Sequence, residues 1–475
     1  MSEPRVVILG GGPAGVGAAQ QLRKLGRASV TLLEQGSAFG GNAGSFENAG
    51  QRLDFGSHRL HPACEPAILE DIRRSLNGDL LDRPRHGRIR LRGRWIHFPL
   101  KPVDLVLRLD PGFALGTLRD MAGKAISKRP EGDTFASVLQ ANLGTTICDN
   151  FYFPYARKIW GRAPEELSGI QARRRVSAGS FGKLIKKVLT AVPGLKPPGS
   201  GRFFYPRRGF GQISETYAEQ ARSLGADLRL GYQVTQLVPP KDSSTPWLVR
   251  AKQRDAAELV TFEADYLWST IPITVLARAM EGGVPPAVLT AAAGIEYRAM
   301  MLIYLELPVE SFTEYDAHYF PDAAITITRL SEPKNYSDLR EPKGRTTICA
   351  ELPCAVDDAQ WKMDDAALGR VVADDLARAG IPLPCPPASV QVRRLRQAYP
   401  IYVNGYEHAF GTLDHWVEGL PRLLSYGRQG LFAHDNTHHA LYMAYCAAQC
   451  LTEKGFDSDR WAEYRKVFAT HVVED

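Results

Sequence analysis

Residues 5–34 contain the pattern that most restricts how this chain can fold. The apolar run Arg5-Val-Val-Ile-Leu9 leads directly into Gly10-Gly-Gly-Pro-Ala-Gly15, and the apolar residues that follow recur at helical spacing. A second apolar run, Val30-Thr-Leu-Leu-Glu34, ends in an acid. A strand, a glycine turn, a helix and a second strand in this order predict a βαβ unit that binds a dinucleotide.

The residues of the glycine turn have separate physical tasks. Gly10 lets the chain turn tightly away from the strand, Gly12 lets the backbone approach a pyrophosphate, and Gly15 lets the helix pack closely on the sheet. The first helical turn, with Pro13 and Ala14, offers unpaired N–H groups and the positive end of the helix dipole to the phosphates. We therefore expect these five residues to contact the cofactor.

A second glycine-rich loop follows directly after Glu34. This acid is placed to accept hydrogen bonds from a ribose, Gln35 adjoins it, and Gly40-Gly41-Asn42-Ala43 comes soon after. Two phosphate-binding loops so close together resemble those of the glutathione-reductase-like flavoproteins, in which FAD lies extended across the domain. The resemblance implies that FAD, bound without a covalent link, contacts Glu34, Gln35, Gly41 and Asn42.

Two further segments carry roles that this resemblance implies. Leu53-Asp-Phe-Gly-Ser-His58-Arg-Leu-His61 alternates apolar and polar residues. In the flavoproteins that the chain resembles, this segment passes beside the isoalloxazine ring, so His58 is expected at the flavin edge. In the same family a valine on a returning strand pairs its backbone with the adenine, which implies this role for Val234.

Length and composition indicate the class of protein. A chain of 475 residues is too long for one ordinary core, so two or three interleaved domains are expected. The net charge of +6 suits an anionic cofactor or small-molecule substrate, whereas the scatter of Arg and Lys argues against a nucleic-acid partner. No apolar run reaches the length needed to cross a bilayer, and no hydrophobic signal region follows Met1. With seven scattered cysteines and no CxxC pair, we expect a cytoplasmic protein.

We predict an α/β fold with three parts. These are a glutathione-reductase-like FAD-binding Rossmann domain, an interleaved substrate domain with an antiparallel sheet, and a helical insertion. The expected boundaries are 1–62, 204–275 and 420–475 for the FAD-binding domain, 63–130 and 276–419 for the substrate domain, and 131–203 for the helical insertion.

Local patterns predict individual elements. Gly87–Phe98 alternates apolar residues with arginines, as in an antiparallel pair with one solvated face. Asp227–Val234, Ile325–Arg329 and Gly430–Ala433 each predict a strand. Residues 177–203 are basic and then rich in Pro and Gly, which is typical of a mobile connection or lid.

A tryptophan and three arginines suggest a substrate site. Lys158-Ile-Trp160-Gly161 places the tryptophan at a bend, with its ring free to point into a cleft. Core packing is the usual role of such a tryptophan, but Arg173-Arg174-Arg175 follows, and the guanidinium fork matches anionic oxygens. We therefore predict an anionic substrate, with Trp160 and Arg174 as candidate contacts.

Other polar and aromatic residues are weaker candidates for substrate contact. Arg329 lies on a turn after a predicted strand, where it either reaches a ligand or forms part of a surface turn, and the sequence leaves both open. Tyr399, Tyr402 and Tyr406 place three phenols around a proline and can line an apolar pocket.

The loop His434–His439 precedes an apolar helix, whose N-terminal N–H groups can face flavin oxygens. His434 is therefore a candidate substrate contact and Asn436 a candidate flavin contact. Three histidines, at 434, 438 and 439, invite a metal, but no acid-rich or cysteine shell with ligand spacing accompanies them. We expect flavin or substrate contact here, and no metal.

Together these residues resemble the flavoproteins related to UDP-galactopyranose mutase, and the broader amine oxidase and protoporphyrinogen oxidase group, over nearly the whole chain. The resemblance implies that Trp160 borders a sugar, that Arg174 and Arg428 hold a diphosphate, and that His58 sets the geometry at the flavin. These four are the candidate catalytic residues. The chain departs from the mutases where His434-Asp435-Asn436 replaces an aromatic pattern.

Two reactions fit the resemblance. In the mutase reaction, N5 of reduced flavin attacks the anomeric carbon of a nucleotide sugar, and the ring opens and recloses without net oxidation. In an oxidoreductase, oxidised flavin takes a hydride from a C–N or C–C bond, and the three tyrosines named above line the pocket. A third class is a protein that binds flavin but serves only in interactions with other molecules. In such a protein the cofactor-binding residues would have no catalytic role. We expect the first, with NAD(P)H as a candidate reductant and a homodimer as a candidate assembly.

Overall fold

The structure, a computed structural model, describes residues 3–99, 108, 110–123, 132–175, 201–254, 256 and 258–473. These residues form a mixed α/β architecture of several sheets and helices, which confirms the predicted fold class. The predicted lid over residues 177–203 lies, except for its last three residues, outside the described part of the chain.

The strands are numbered in chain order. They are β1 (Arg5–Leu9), β2 (Ser29–Glu34), β3 (Ser45–Asn48), β4 (Gln51–Asp54), β5 (Leu80–Pro84), β6 (Gly87–Leu91), β7 (Arg94–Phe98), β8 (Arg202–Pro206), β9 (Asp227–Leu230), β10 (Tyr232–Val238), β11 (Trp247–Gln253), β12 (Leu259–Ala264), β13 (Tyr266–Ser269), β14 (Glu296–Leu307), β15 (Ala317–Tyr319), β16 (Arg329–Ser331), β17 (Thr346–Cys354), β18 (Ser389–Ile401), β19 (Leu423–Ser425), β20 (Leu451–Thr452) and β21 (Gly455–Phe456).

The α-helices of four or more described residues are numbered in the same way. They are α1 (Pro13–Lys24), α2 (Pro66–Leu76), α3 (Pro111–Gly123), α4 (Phe135–Leu143), α5 (Phe153–Trp160), α6 (Gly169–Arg175), α7 (Gln212–Ser223), α8 (Ile273–Ala279), α9 (Pro286–Gly294), α10 (Asp365–Arg378), α11 (Tyr406–Glu418), α12 (Gly427–Gly430), α13 (Thr437–Cys450) and α14 (Ser458–Phe468).

A five-stranded parallel sheet, in the order β19-β13-β1-β2-β9, contains the βαβ unit. Side chains alternate between the two faces of a strand, so β1 contributes to two cores. Val6 and Ile8 pack under α1, α7 and α13, whereas Val7 and Leu9 pack against a cluster that includes Trp247 of the β10-β11-β12 sheet. Helices and a second sheet therefore cover both faces, as a parallel sheet requires.

A seven-stranded sheet, in the order β18-β14-β17-β16-β15-β6-β7, forms the second layer system. Its pairs are antiparallel except for the parallel pair of β15 with β6. Met301, Ile303 and Leu305 of β14 face the core under α10, and Leu302 and Tyr304 on the opposite face pack towards β3 and β4. The strand β14 thus joins the antiparallel sheet to the segment that follows the second glycine loop.

Helices α4, α5 and α6 pack around a separate core that includes Phe135, Phe153 and Trp160. The helix α5 ends at Trp160 because Gly161 adopts the left-handed conformation, with φ of 66°. Lys158 ties this helix to the antiparallel sheet, since its Nζ donates to three carbonyl oxygens of the 320–327 loop at 2.6, 3.2 and 2.8 Å.

Three of the predicted strands differ in the structure. Asp227–Val234 is two strands in different sheets, because Gly231 with φ of 76° breaks the run. Residues 325–328 are not a strand, because the backbone N–H groups of Thr326 and Ile327 donate to the buried carboxylate of Asp375 at 2.7 and 2.9 Å. The strand predicted at Gly430–Ala433 is wrong as well.

At that position the chain makes a turn of helix, α12, and the strand that joins the parallel sheet is β19, just before it. The turn is closed by the Ser425 hydroxyl, which donates to the Gly430 carbonyl at 3.1 Å, and by the Ala433 N–H, which donates to the Arg428 carbonyl at 2.8 Å. A three-residue strand is too short to show a pattern in the sequence.

We predict that His318 makes the folded protein less stable in acid. Burial, followed by the nearby charge of Arg88, lowers the pKa of His318 from 6.5 to about 3, so the folded chain keeps it neutral while the unfolded chain protonates it. The free energy of unfolding should therefore fall as the pH drops from about 6.5 towards 3, by up to ~1.4 kcal/mol per pH unit. In His318→Gln this part of the slope should vanish.

Urea unfolding followed by tryptophan fluorescence at pH 7.5, 6 and 5 measures the slope. His415→Gln is the control, because His415 lies exposed on α11. An unchanged slope in His318→Gln would show that His318 is not a source of acid sensitivity.

Candidate functional site

The end of β1 and the start of α1 form a tight turn. Gly10 has φ of 99°, and a Cβ on Gly15 would lie 1.9 Å from the Gly10 carbonyl oxygen. By contrast, a Cβ on Gly12 would meet no atom of the described residues within 4 Å. Pro13 and Ala14 begin the helix directly above that open space. The turn therefore presents a helix N-terminus that an anionic group can approach closely.

Glu34 lies beside this turn at the end of β2. Its Oε2 accepts a hydrogen bond from the Gly11 N–H at 2.7 Å, and its Oε1 accepts one from the Gly36 N–H at 2.6 Å. Each carboxylate oxygen has a second lone pair for a ribose hydroxyl. The carbonyl of Gln35 accepts from Arg254 Nη2 at 3.1 Å, so the backbone after the acid is fixed as well.

The second glycine loop contacts the first. The Gly40 N–H donates to the Gly11 carbonyl at 2.8 Å, and a Cβ on Gly41 would lie 3.4 Å from the Gly12 Cα. Asn42 donates from Nδ2 to a carbonyl of β18 at 3.3 Å. The structure thus brings together the two loops that the sequence predicts as phosphate-binding.

A buried carboxylate, Asp54, holds the segment after the second loop. Its Oδ1 accepts from the Ser45 hydroxyl at 2.6 Å and from the Phe210 N–H at 2.8 Å, and its Oδ2 accepts from the Tyr205 hydroxyl at 2.6 Å. Burial raises the pKa of Asp54, and the hydrogen bonds from Ser45 and Tyr205 oppose this shift. The hairpin of β3 and β4 and the distant segment from Tyr205 to Phe210 therefore meet at one carboxylate.

His58 follows on the same segment. Its Nε2 donates to the Phe55 carbonyl at 2.8 Å, and its ring stacks on Phe210 with centroids 5.4 Å apart. Burial lowers the pKa of His58, although the Asp54 carboxylate opposes the change. The imidazole is therefore held neutral and in one orientation.

The remaining predicted cofactor contacts, Val234 and Asn436, lie outside the strands of the parallel sheet. Val234 is half-buried on β10, opposite Ala251, where the pairing of β10 with β11 shifts register. Asn436 is the N-cap residue of α13 and forms a capping box with His439.

Trp160 and Tyr399 form an aromatic corner. Their rings meet edge to face, with centroids 5.7 Å apart. The guanidinium carbon of Arg175 lies 5.5 Å from both ring centroids, and that of Arg428 lies 5.3 Å from the Tyr399 centroid. We call Trp160, Arg175, Tyr399 and Arg428 the arginine corner.

The charges of the arginine corner are not balanced by acids. Arg428 donates only to backbone, to the carbonyls of Ala398 at 2.8 Å and Asp435 at 3.2 Å. Burial lowers the pKa of Arg428, and the positive charge of Arg175 contributes to the shift. Within the described part of the chain, neither guanidinium forms an ion pair with a carboxylate.

The predicted Arg174 points elsewhere. Its Nη2 donates to the Ala469 carbonyl at 3.2 Å, and its guanidinium lies 5.9 Å from the Tyr402 ring. The backbone carbonyl of Arg174 also accepts from the Val473 N–H at 2.9 Å. Arg174 therefore holds the carboxy-terminal segment next to α6, and Arg175 is the neighbour that reaches the aromatic corner.

His434 lies buried against the aromatic corner, with its ring centroid 5.2 Å from that of Trp160. Gln171 Oε1 accepts from the Tyr402 N–H at 3.0 Å and lies 3.3 Å from His434 Nε2. Because this oxygen can only accept, Nε2 of His434 carries the proton. Burial first, and then the charges of the surrounding arginines, lower the pKa of His434 well below its ordinary value.

Tyr402 and Tyr406 stack on each other with ring centroids 4.0 Å apart. Both are buried in the core that also contains Phe432, whose carbonyl accepts from the Tyr402 hydroxyl at 2.7 Å. Tyr402 contacts the arginine corner through His434, whose ring centroid lies 4.8 Å from its own, and the guanidinium of Arg174 lies near the Tyr402 ring.

Arg329 lies in the interior at the start of β16, paired with Glu351 at 2.8 Å. Burial opposes its charge, but Glu351 and then the phenols of Tyr319 and Tyr399 outweigh burial and raise the pKa of Arg329. Glu351 also accepts from the Ser57 N–H at 3.0 Å. Arg329 therefore lies between the His58 segment and the aromatic residues, and not on a surface turn.

Sequence reasoning missed three residues that the structure places among these groups. Arg175 was part of the quoted arginine run, but only the contacts of the two side chains in the fold distinguish it from Arg174. Glu351 carries no motif. Arg59 adjoins His58, pairs with Asp316 at 3.4 Å and lies over the Tyr336 ring, and its position next to the predicted flavin-edge histidine was the available signal.

The fold is shared with several flavoproteins. Over 99% of this chain and 100% of the other, a solved structure of reduced UDP-galactopyranose mutase superposes with a TM-score of 0.81 at 21% identity. A protein from Exiguobacterium sp. 255-15 assigned as protoporphyrinogen oxidase matches with a TM-score of 0.71 at 18% identity, over 94% of this chain and 98% of the other. Putrescine oxidase bound to putrescine matches with a TM-score of 0.65 at 17% identity, over 94% and 98%. At these identities the likeness concerns the fold alone.

No helix among the described residues is both long and apolar enough to cross a membrane.

A comparison of the sequence with models of protein families identifies the family. The model of the family described as flavin containing amine oxidoreductase matches residues 13–424, which is most of the chain. The chain therefore belongs to the flavin-containing amine oxidoreductases and is an FAD-dependent enzyme.

Proposed function

We propose that this flavoenzyme acts on a nucleotide-linked or otherwise phosphorylated sugar and interconverts its pyranose and furanose forms, as a UDP-galactopyranose mutase does. The arginine corner carries this proposal. It places two guanidinium groups against one aromatic corner, with neither paired to a carboxylate within the described residues. A diphosphate supplies the missing negative charge.

The energetics favour an anionic ligand at this position. A buried guanidinium without a counter-charge is costly, and the lowered pKa of Arg428 reflects that cost. An arginine fork matches phosphate oxygens in two parallel hydrogen bonds. A diphosphate that met both Arg175 and Arg428 would remove the repulsion between them.

We propose that FAD binds without a covalent link along the carboxyl edge of the parallel sheet. The open space over Gly12, the helix N-terminus behind it and the contact between the two glycine loops fit a pyrophosphate. When bound, the flavin supplies N5, as a nucleophile in its reduced form or a hydride acceptor in its oxidised form. The proposed contacts are Gly10, Gly12, Pro13, Ala14, Gly15, Glu34, Gln35, Gly41, Asn42, His58, Val234 and Asn436.

The chain's own residues bind and orient the substrate. Trp160 and Tyr399 form an aromatic border for the sugar while Arg175 and Arg428 hold the phosphates. Arg329, fixed by Glu351, joins this region to the flavin-edge segment with His58. In a ring-opening reaction without net oxidation, the main contribution of the protein is to position the substrate correctly for reaction.

The proposed roles of the domains follow from the residue ranges that contribute strands to each sheet. We propose that residues 1–62, 204–275 and 420–475 bind the cofactor, because all five strands of the parallel sheet lie in them. Residues 63–130 and 276–419 contribute the antiparallel sheet, and residues 131–203 the helices that bring Trp160 and Arg175 to the site.

The reaction is tested on the flavin-loaded protein under anaerobic conditions. The flavin is reduced with dithionite, UDP- and dTDP-hexoses are offered, and furanose products are separated by chromatography. We expect product with reduced flavin only, and no net consumption of electrons. A reduced enzyme that ignores every nucleotide sugar and reoxidises rapidly in air would instead favour an oxidase acting on a C–N or C–C bond.

The arginine corner predicts a binding defect with a close control. Arg175→Gln and Arg428→Gln should each weaken UDP binding by about 10- to 100-fold, because each removes one charged hydrogen-bond partner. Arg173→Gln should bind UDP as the native protein does, since Arg173 is exposed and pairs with Asp133 at 2.7 Å. Isothermal titration calorimetry measures all three, and equal affinities would contradict the assignment.

The first glycine turn predicts two different failures. Gly12→Ala should fold normally but lose most of its flavin, because its methyl group occupies only the space proposed for the pyrophosphate. Gly15→Ala should lower the unfolding temperature as well, since its Cβ would lie 1.9 Å from a carbonyl oxygen.

Flavin content by absorbance and unfolding temperature by circular dichroism separate these outcomes. Gly411→Ala, at an open position in α11, is the control and should match the native protein in both. Full flavin content in Gly12→Ala would place the pyrophosphate elsewhere.

A further inference from the structure

Three side chains from separate parts of the chain converge beside the arginine corner. Asp435 Oδ1 lies 3.3 Å from His439 Nδ1 and 3.0 Å from His471 Nδ1. All three atoms lie within 4.8 Å of one another. Asp435 belongs to the loop before α13, His439 to the first turn of α13, and His471 to the carboxy-terminal segment after α14.

The hydrogen bonds of this cluster leave a conflict that a cation resolves. The Asn436 N–H donates to His439 Nδ1 at 3.2 Å, so this nitrogen presents a lone pair. The same nitrogen faces the Asp435 carboxylate, which is also an acceptor. One Nδ1 cannot accept from Asn436 and donate to Asp435 at once. Two acceptors 3.3 Å apart are stable together only with a positive charge between them.

The negative charge of Asp435 also favours a bound cation. Its side chain is fully buried, and within the described residues its ion-pair partners are the two imidazoles and no Lys or Arg. Its second oxygen, Oδ2, is buried and has no hydrogen-bond partner among the residues that the structure describes.

We propose that Asp435, His439 and His471 form a binding site for a divalent transition metal of the zinc type. Two imidazole nitrogens and one carboxylate oxygen are a donor set that zinc accepts, with bonds of about 2.0–2.2 Å and a water in the fourth position. Ligand atoms around such an ion lie about 3–4 Å apart, as do the two pairs of Asp435 Oδ1 with an imidazole Nδ1, at 3.0 and 3.3 Å. The site does not depend on the proposed reaction.

The imidazole rings must turn for the metal to bind. The rings of His439 and His471 are stacked, with centroids 4.1 Å apart and planes 13° from parallel. A metal lies near the plane of each imidazole that binds it, so both rings rotate about their Cβ–Cγ bonds towards Asp435. His438 packs beside His439 on another side, with ring centroids 4.1 Å apart.

The metal would clamp the carboxy-terminal segment to the site. Residues 469–473 already contact α6, because the Ala469 carbonyl accepts from Arg174 and the Val473 N–H donates to the Arg174 carbonyl. Asp435 also holds Arg428 through its backbone carbonyl. One ion would therefore join His471, the Arg428 loop and, through Arg174, the helix that carries Arg175.

The test uses the flavin-loaded protein after dialysis against EDTA. Zinc chloride is titrated by calorimetry, and bound zinc is counted by elemental analysis after gel filtration. We expect one zinc per chain in the native protein, and binding at least tenfold weaker in His471→Gln and Asp435→Asn. The exposed His415 provides the control, and His415→Gln should bind as the native protein does.

A second measurement guards against variants that fail to fold. X-ray absorption at the zinc edge of the native protein should show two imidazole nitrogens and further oxygen ligands at about 2.0–2.2 Å. Sulfur ligands in that spectrum, equal zinc binding by His471→Gln, or no zinc retained by the native protein would each overturn the proposal.

Discussion

The close approach of backbone to backbone at the carboxyl edge of the parallel sheet is the constraint on which the rest of this structure depends. The turn after β1 is so tight that α1 passes within contact of the Gly10 carbonyl, where Gly15 can have no side chain. The same edge receives Glu34 and the second glycine loop, which bond to the two sides of the Gly11 peptide. The phosphates of a cofactor bound along this edge would face backbone N–H groups, so their position would follow from the sheet and the helix that it carries.

The antiparallel sheet is joined to this edge by a few buried polar groups. Asp54 gathers Ser45, Tyr205 and Phe210, and the Tyr304 hydroxyl of β14 donates to the Asp54 carbonyl at 2.6 Å. A buried carboxylate with three donors is stable, whereas the same carboxylate with one donor removed is costly. The segment that carries His58 is therefore fixed by the packing of both sheets, and neither sheet alone would place it.

The parts of the structure that could be predicted from sequence are those in which local pattern and final environment agree. The βαβ unit is of this kind, because its glycines, apolar runs and terminal acid all act within 30 residues of one another. Ile325-Thr-Ile-Thr328 fails for the opposite reason, since a distant acid, Asp375, takes its backbone N–H groups. Arg174 and Arg175 show the same limit within the site: both fit an anion, and only the pairing of Arg174 with residues 469 and 473 shows which one is engaged elsewhere.

The same limit applies to the metal ligands that we propose in and near the His434–His439 loop. Within the loop no set of ligands with metal spacing appears, because the third donor, His471, follows a whole helix later. The fold brings it back by packing α14 against α13, where Trp461 and Phe468 join the core under the parallel sheet. The buried carboxylate of Asp435 then contacts the imidazoles of His439 and His471, and its negative charge is shared between these two rings. Next to it lie the two guanidinium groups of the arginine corner, which have no carboxylate partner within the described residues. The positive charge of the arginine corner is therefore not neutralised by Asp435, which is why we propose an anion as its ligand.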